Sequence, residues 1–278
     1  IDSGRGVYFT NPAGVAHILT RVTGSSRSEI LGTLGVLGNA NLFLINPNGI
    51  LFGPNAQLDI RGSFLASTAN SVVFDNGFAF SATNPQAPPL LTINVPIGLQ
   101  YGNNPGEMRS QGASLQMPNG QTLTLAGGTV NIDGGQLLAP GGRVELAGVA
   151  DTGEVVLAQQ GQEWRLSLPD GLARADVAIA NDAIVNVRAG GGGSVAITAR
   201  NLEISGGSVV ETGVDNNLIG SVTEQNLENV VPQAGDISIN AAESIILSGQ
   251  SAIGNQVARN ALGNAGDINI QTNSLSIR

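Results

Sequence analysis

The chain has 278 residues, of which 41% are hydrophobic and 12% charged, so it is too apolar for intrinsic disorder and can bury a large core. Its net charge is −9 and all basic residues are isolated arginines, which excludes the basic stripe that a nucleic-acid groove needs. Cysteine is absent, which excludes disulfides and thiolate metal sites, and no run of about 18 apolar residues predicts a transmembrane helix. Length alone leaves open one large β domain or two smaller ones.

The first 37 residues predict short strands rich in glycine and threonine. Asn11 and Pro12 form the first Asn-Pro turn. His17 is the only histidine, and its apolar neighbours favour a packed structural residue over a catalytic one. Ile1 is not an initiator methionine and no signal peptide follows it, so we expect a piece of a longer protein.

The stretch from Asn41 to Thr68 organises the rest of the chain. Its short apolar runs are separated by Asn-Pro-Asn-Gly, Gly-Pro-Asn and Arg-Gly, so strands alternate with turns and leave no room for a helix. In the first turn, Pro47 sets its own φ, Asn46 can bond the backbone just ahead, and Gly49 can take positive φ. We expect a tight corner between two buried strands, made of Asn46, Pro47, Asn48 and Gly49, with Ile50 opening the second strand.

Three segments together resemble a known family: FTNPAGV at 9–15, ILTRVTG at 18–24 and INPNGILFGPNAQLDIRGSFLAST at 45–68. They are similar to the haemagglutination-activity, or two-partner-secretion (TPS), domain of filamentous-haemagglutinin-like exoproteins. The resemblance extends into the repeats downstream and covers most of the chain. The sequence departs from the first motif at Ala13, where many relatives carry asparagine.

The resemblance implies a non-enzymatic secretion domain at the N-terminus of a large exoprotein or adhesin, without cofactors. Such a domain crosses the periplasm and outer membrane of a Gram-negative bacterium and templates β-helix folding at the cell surface. Its expected partner is an outer-membrane transporter with periplasmic POTRA domains, and a host or cell-surface receptor is possible for the full-length protein. We expect a monomer. The positions that match motifs implicated in secretion are Asn11, Pro12, Asn46, Pro47, Asn48, Gly49 and Ile50.

Residues 84–106 differ in character from their surroundings, because Asn-Pro and Pro-Pro pairs interrupt two strand-like runs at 91–95 and 97–101. Proline confines a strand to a sheet edge. We therefore predict an extra-helical hairpin excursion that lies against the main body, with a plain surface loop as the alternative.

Residues 121–149 carry the clearest repeat. An i, i+2 pair points two side chains to the same side of a strand, and a heptad coiled coil would not show it. Faces of about seven residues, three to a turn, give a coil of about 21 residues, which predicts a right-handed parallel β-helix. The apolar pairs recur every seven residues as Leu123 with Leu125, Val130 with Ile132, Leu137 with Ala139, and Val144 with Leu146.

The pattern returns downstream at three similar starts: Gly193-Ser-Val195, Gly235-Asp-Ile237 and Gly266-Asp-Ile268. We interpret their separations of 42 and 31 residues as whole coils plus loops, with the extra length in 215–233 and 255–265. The whole chain, 1–278, is then a single domain. About a dozen coils, each about 4.8 Å high, would make a rod on the order of 55 Å long.

Two further functions have requirements that can be compared with this sequence. A polysaccharide lyase or hydrolase needs converging carboxylates, whereas the acidic residues here are dispersed, and no metal site is expected. Gly190–Gly193 lacks both the aspartate of calcium-binding repeats and the lysine of a phosphate loop. An adhesin rod that binds carbohydrate or cell surfaces remains the main alternative. Trp164, on a predicted rod-surface strand, could be a sugar platform, but packing over a coil corner is commoner.

Overall fold

The computed structural model describes residues 1–85, 95–215 and 231–278. Every regular element in these ranges is a β-strand. The first thirteen strands are β1 (Gly6–Thr10), β2 (His17–Arg21), β3 (Ser28–Ile30), β4 (Thr33–Leu37), β5 (Asn41–Ile45), β6 (Ile50–Phe52), β7 (Gln57–Asp59), β8 (Phe64–Ser67), β9 (Ser71–Phe74), β10 (Ala79–Ser81), β11 (Pro96–Tyr101), β12 (Met108–Gln111) and β13 (Ser114–Gln116). The others are β14 (Thr122–Gly127), β15 (Val130–Asp133), β16 (Gln136–Leu138), β17 (Arg143–Gly148), β18 (Gly153–Gln160), β19 (Glu163–Ser167), β20 (Val177–Ala180), β21 (Ile184–Asn186), β22 (Ser194–Ile204), β23 (Val209–Val214), β24 (Ile237–Leu247), β25 (Ala252–Val257), β26 (Ile268–Gln271) and β27 (Ser274–Ile277).

Three faces of parallel strands wind into a β-helix, as predicted. Face A stacks β1, β4 and β7 and, further along, β13, β16, β21, β23 and β25. Face B stacks β2, β5, β8, β14, β17, β22, β24 and β26. Face C stacks β3, β6, β12, β15 and β20, then the second halves of β22 and β24, then β27 beside β24. Each coil contributes one strand or half-strand to each face.

The register confirms the predicted coil length. Leu123 pairs with Val144, one 21-residue coil later, and both side chains are fully buried. Val195 likewise pairs with Ile237 and Ile237 with Ile268, so each of the longer separations is one coil with an insertion. Inward-facing Leu, Ile and Val side chains from successive coils form a continuous apolar column.

The described chain contains eight coils, so the prediction of about a dozen was wrong. The reason is that several coils carry long insertions, which use up residues without adding height. At about 4.8 Å per coil, eight coils span about 34 Å.

The corner from face C to face A requires two successive residues with positive φ. Gly134 and Gly135 both have positive φ, 67° and 72°, and a Cβ on Gly135 would collide with the Ala113 carbonyl of the preceding coil. In the next coil Asn181 and Asp182 take the same conformation, with φ of 62° and 59°. The corners of successive coils therefore share the same positive-φ backbone conformation, so the strands that follow them stay in register.

A second layer covers part of face B. It is a five-stranded antiparallel sheet in the order β10, β9, β11, β18, β19, and we call it the extra-helical sheet. The described part of the predicted 84–106 excursion, residues 84–85 and 95–106, contributes the central strand of this sheet, β11. The sheet also takes in 71–81 and a second excursion at 153–167, which the sequence analysis did not predict as extra-helical. Most of the predicted strand at 91–95 lies outside the described residues.

A separate apolar core fills the space between face B and the extra-helical sheet. Phe43, Ile45 and Leu65 point outward from face B into it, and Tyr101 and Trp164 point inward from the sheet. Strands β5 and β8 are consequently buried on both faces. This doubly covered region lies immediately beside the Asn-Pro-Asn-Gly corner.

Candidate functional site: the Asn-Pro-Asn-Gly corner

The corner joins β5 on face B to β6 on face C. The Gly49 amide donates to the Asn46 carbonyl oxygen at 3.1 Å, which closes the turn. The Asn48 amide donates to Asn46 Oδ1 at 3.0 Å, which confirms the predicted side-chain bond just ahead. Ile50 then enters the core, where its side chain is buried.

Asn46 does more than the local turn bond predicted for it. Its side chain is fully buried, and Nδ2 donates to the Ser26 carbonyl oxygen at 3.1 Å and to Ser28 Oγ at 2.9 Å. Both serines belong to the preceding coil. The buried Asn46 side chain therefore links the first two coils by hydrogen bonds to one exposed and one half-buried serine, and its replacement by alanine would remove both bonds.

Gly49 is held between the backbones of its neighbouring coils. Its φ is 114°, and a Cβ at this position would lie 3.0 Å from the Glu107 carbonyl oxygen. The Ser28 amide donates to the Gly49 carbonyl oxygen at 3.0 Å, and the Ile50 amide donates to that of Glu107 at 3.0 Å. Glycine is required here by both the conformation and the close approach.

The finished fold conceals most of the corner. Asn46, Gly49 and Ile50 are buried, Pro47 is half-buried and only Asn48 is exposed. Asn48 Nδ2 also donates to the Gly24 carbonyl oxygen at 2.8 Å. A partner that meets the folded domain can thus reach only two of these side chains.

The first Asn-Pro turn lies elsewhere, at the corner between faces A and B in the first coil. Asn11 Nδ2 donates to the carbonyl oxygens of Pro12 at 3.1 Å and Val15 at 3.3 Å, and Pro12 is exposed. Gly38 of the next coil lies directly against the Asn11 side chain, with no room for a Cβ. The two Asn-Pro turns therefore occupy different corners and do not form one site.

His17 is packed, as its neighbours predicted. Its ring lies edge-to-face with Phe43 at 5.8 Å and with Trp164 at 5.4 Å between centroids, and Nδ1 is 3.1 Å from Asn41 Nδ2. Burial lowers the pKa of His17. Trp164 is also packed, but against face B rather than over a coil corner. With 2% of its surface exposed, it cannot serve as a sugar platform.

A buried ion pair lies under β19, at a position where the sequence alone indicates only one of several dispersed acidic residues. Arg143 Nε donates to Glu145 Oε2 at 2.6 Å, and the Leu166 amide of β19 donates to Glu145 Oε1 at 3.1 Å. Burial raises the pKa of Glu145, while Arg143 opposes that shift. The two residues point outward from one strand, a pattern that usually indicates a solvent-exposed pair.

Neither a metal centre nor a membrane helix is found in the described parts of the chain. No three His, Asp or Glu side chains there converge in a way that could hold a metal ion. The same residues contain no helix with the length and apolarity to cross a bilayer.

A family model described as "TPS secretion domain" matches residues 1–197. The chain belongs to the TPS secretion domain family. The match includes both Asn-Pro turns, the extra-helical sheet and the first five coils, which confirms the resemblance seen in the sequence. No match was found among curated proteins. Membership makes this chain a secretion domain of a two-partner-secretion exoprotein, a class exported from Gram-negative bacteria with an outer-membrane transporter as partner.

Proposed function

We propose that the transporter's POTRA domains recognise the Asn46–Ile50 segment before the first coils close, and that the domain then folds outside the cell. The observation that carries this proposal is burial: Asn46, Gly49 and Ile50 are inaccessible once the fold is complete. A partner that uses these residues must therefore meet an open chain. The domain itself is proposed to have no catalytic role.

The strand before the corner suits capture in an extended form. Residues 42–45 are apolar on both faces of β5, so the open strand presents side chains to either side. Addition of such a strand to an exposed sheet edge would use its backbone for affinity and its side chains for specificity. We propose this β-augmentation as the mode of binding to a POTRA domain.

Templating of later coils is the second part of the proposal. The strands of the eighth coil pair on one side with the seventh, and their side chains Ile268, Ile270, Leu275 and Ile277 are 40–71% exposed. A further coil stacked here would continue the apolar column and cover these side chains.

The test compares secreted yield with thermal stability in cells that carry the partner transporter. Asn46→Ala removes both the motif side chain and its hydrogen bonds, whereas Ser28→Ala removes one of the same bonds and leaves the motif intact. Gly135→Ala, at a corner outside the motif, strains the backbone at a φ of 72° without removing a polar group. The wild type and the two reference variants define how secreted yield falls as Tm falls. We expect the secreted yield of Asn46→Ala to lie below the value that this relation gives for its Tm.

If export follows Tm along one line for all three variants, the corner is only a structural turn and the proposed recognition is wrong.

A further inference from the structure

Part of the layer that covers the apolar outer surface of the early coils comes much later in the chain. Phe43 and Leu65 project outward from coils two and three, and they are 1% and 3% exposed. The layer above them includes β11 and the hairpin of β18 and β19, at residues 153–167. More than 100 residues thus separate Phe43 from the hairpin that covers it.

The hairpin is fastened to the coils by specific contacts. The Trp164 ring lies 5.1 Å from the Phe43 ring and 5.4 Å from the His17 ring, edge-to-face in both cases. The Trp164 amide donates to Thr122 Oγ1 at 3.1 Å, and the Leu166 amide donates to Glu145 Oε1 at the same distance. Side chains of face B thereby accept hydrogen bonds from two amides on the edge of β19 that none of the described strands pairs.

The opposite edge of the extra-helical sheet is fastened to the first coil. Arg21 Nη1 donates to the Ser81 carbonyl oxygen of β10 at 2.9 Å, and its guanidinium lies 4.4 Å from the centre of the Phe80 ring. Strand β2 pairs only with β5 among the described strands. It is therefore held at His17 by β19 and at Arg21 by β10.

We propose that the β18–β19 hairpin is a folding lock: the first three coils stay open until residues 153–167 dock on them. Contacts across more than 100 residues close slowly because a large loop must first be ordered. The stacking of strands is equally local in the early and middle coils, with paired residues 22 apart in β5 and β8 and 21 apart in β14 and β17. The difference lies on the outer surface of face B. Phe43 and Leu65 leave apolar surface in water until the hairpin docks, whereas coils four and five place the polar Thr124 and Glu145 at the same positions. The middle coils therefore fold first, and the Asn46 corner is buried last.

Trp164 reports this event directly, since it is the only tryptophan in the chain. The full chain is refolded from denaturant while Trp fluorescence and pulsed hydrogen exchange are recorded. We expect amides of 41–45 and 64–67 to gain protection at the rate of the fluorescence change, and after those of 122–127 and 143–148. Protection of 41–45 before the fluorescence change would overturn the proposal.

A pair of variants tests the lock in the native state. Trp164→Ala should lower amide protection in β2 and β5 by about tenfold or more while leaving β24 unchanged. Val156→Ala, at a 48% exposed position on the same hairpin, should change neither region. Equal loss in all strands, or no loss in β2 and β5, contradicts the lock. If Trp164→Ala does not fold, the wild-type refolding order decides.

Discussion

The early and late coils differ most clearly at one outward-facing position of face B. The backbone register places Phe43, Leu65, Thr124, Glu145, Ala196, Ser238 and Asn269 in one row along the rod. The early members lie under the extra-helical sheet and are buried, whereas Ser238 and Asn269 are exposed. Thr124 and Glu145 are already polar but still buried, so exposure along this row, rather than polarity, marks where the second layer ends.

The ion pairs show the same contrast. Arg143 and Glu145, under β19, have side chains only 9% and 4% exposed, whereas Arg200 and Asp176, on an open corner, are 49% and 39% exposed. A buried pair depends on both partners because either charge alone is costly, while an exposed pair is worth little. An arginine–carboxylate pair should therefore matter more for stability under the extra-helical sheet than on the uncovered part of the helix.

The largest expected effect on stability is at Phe43, in the outward-facing row of face B. Phe43→Ala should destabilise the domain by about 3–5 kcal/mol, because it opens a cavity against Trp164. Ser238→Ala, in the same row but exposed, should change stability by no more than about 0.5 kcal/mol. Denaturant unfolding measures both values. Equal effects would remove the distinction between the covered and uncovered coils.

The two ion pairs offer a second comparison. Glu145→Gln leaves Arg143 buried without its counter-charge and should cost about 3 kcal/mol. Asp176→Asn keeps one acceptor oxygen at an exposed pair and should cost less than about 1 kcal/mol. The same unfolding experiment compares the two variants, and a larger loss for Asp176→Asn would show that burial of the pair does not govern its importance.

The corner itself should be sensitive to a single methyl group. Gly49→Ala forces an L-residue to a φ of 114° beside the Glu107 carbonyl, and should cost about 1–2 kcal/mol. Gly24→Ala is the control, because a Cβ there meets no atom within 4 Å. Its effect should stay within about 0.5 kcal/mol. Thermal unfolding of the two purified variants checks the difference.

The smallest effect is a pH dependence at the docking surface of the hairpin. Burial holds the pKa of His17 below its ordinary value of 6.5, so the unfolded chain takes up this proton more readily than the folded one. The contribution of His17 is therefore complete above about pH 6.5 and is lost as the pH falls through the folded pKa. Glu145 is present in both the wild type and His17→Gln, so its contribution to the pH dependence of stability cancels when the two are compared.

We expect the wild type to lose more stability than His17→Gln between about pH 7.5 and 5.5, measured by denaturant unfolding. Parallel profiles would mean that His17 is not held neutral by the fold. Asp133 and Asp176 do not disturb this window, because Asn181 and Arg200, respectively, hold their pKa values below 3.8.

The coil was predictable from local spacing, whereas the second layer was not. The pairs at Leu123 and Val144 recur at fixed intervals because every coil must return to the same face, and such periodicity is visible in sequence. The sheet that joins β11 to β18 pairs segments more than 50 residues apart, and no period records that pairing. The number of coils was overestimated for the same reason.

The site was predictable in part. The turn residues Asn46 to Gly49 identify a corner by their own conformational preferences. The partners of Asn46 could not be predicted, because Ser26 and Ser28 meet it only when coils stack. Burial of Trp164 was similarly decided by a neighbouring layer rather than by its own strand.

The central claim, that the corner is recognised before it closes, can be measured by binding. Purified POTRA domains of the partner transporter are mixed with the chain immediately after dilution from urea, and in parallel with the fully folded chain. The account predicts that binding is strong at first and declines as Trp164 fluorescence reaches its folded value, and that Asn46→Ala weakens the initial binding more than Ser28→Ala. Equally tight binding to the folded chain, in which Asn46, Gly49 and Ile50 are buried, would contradict it.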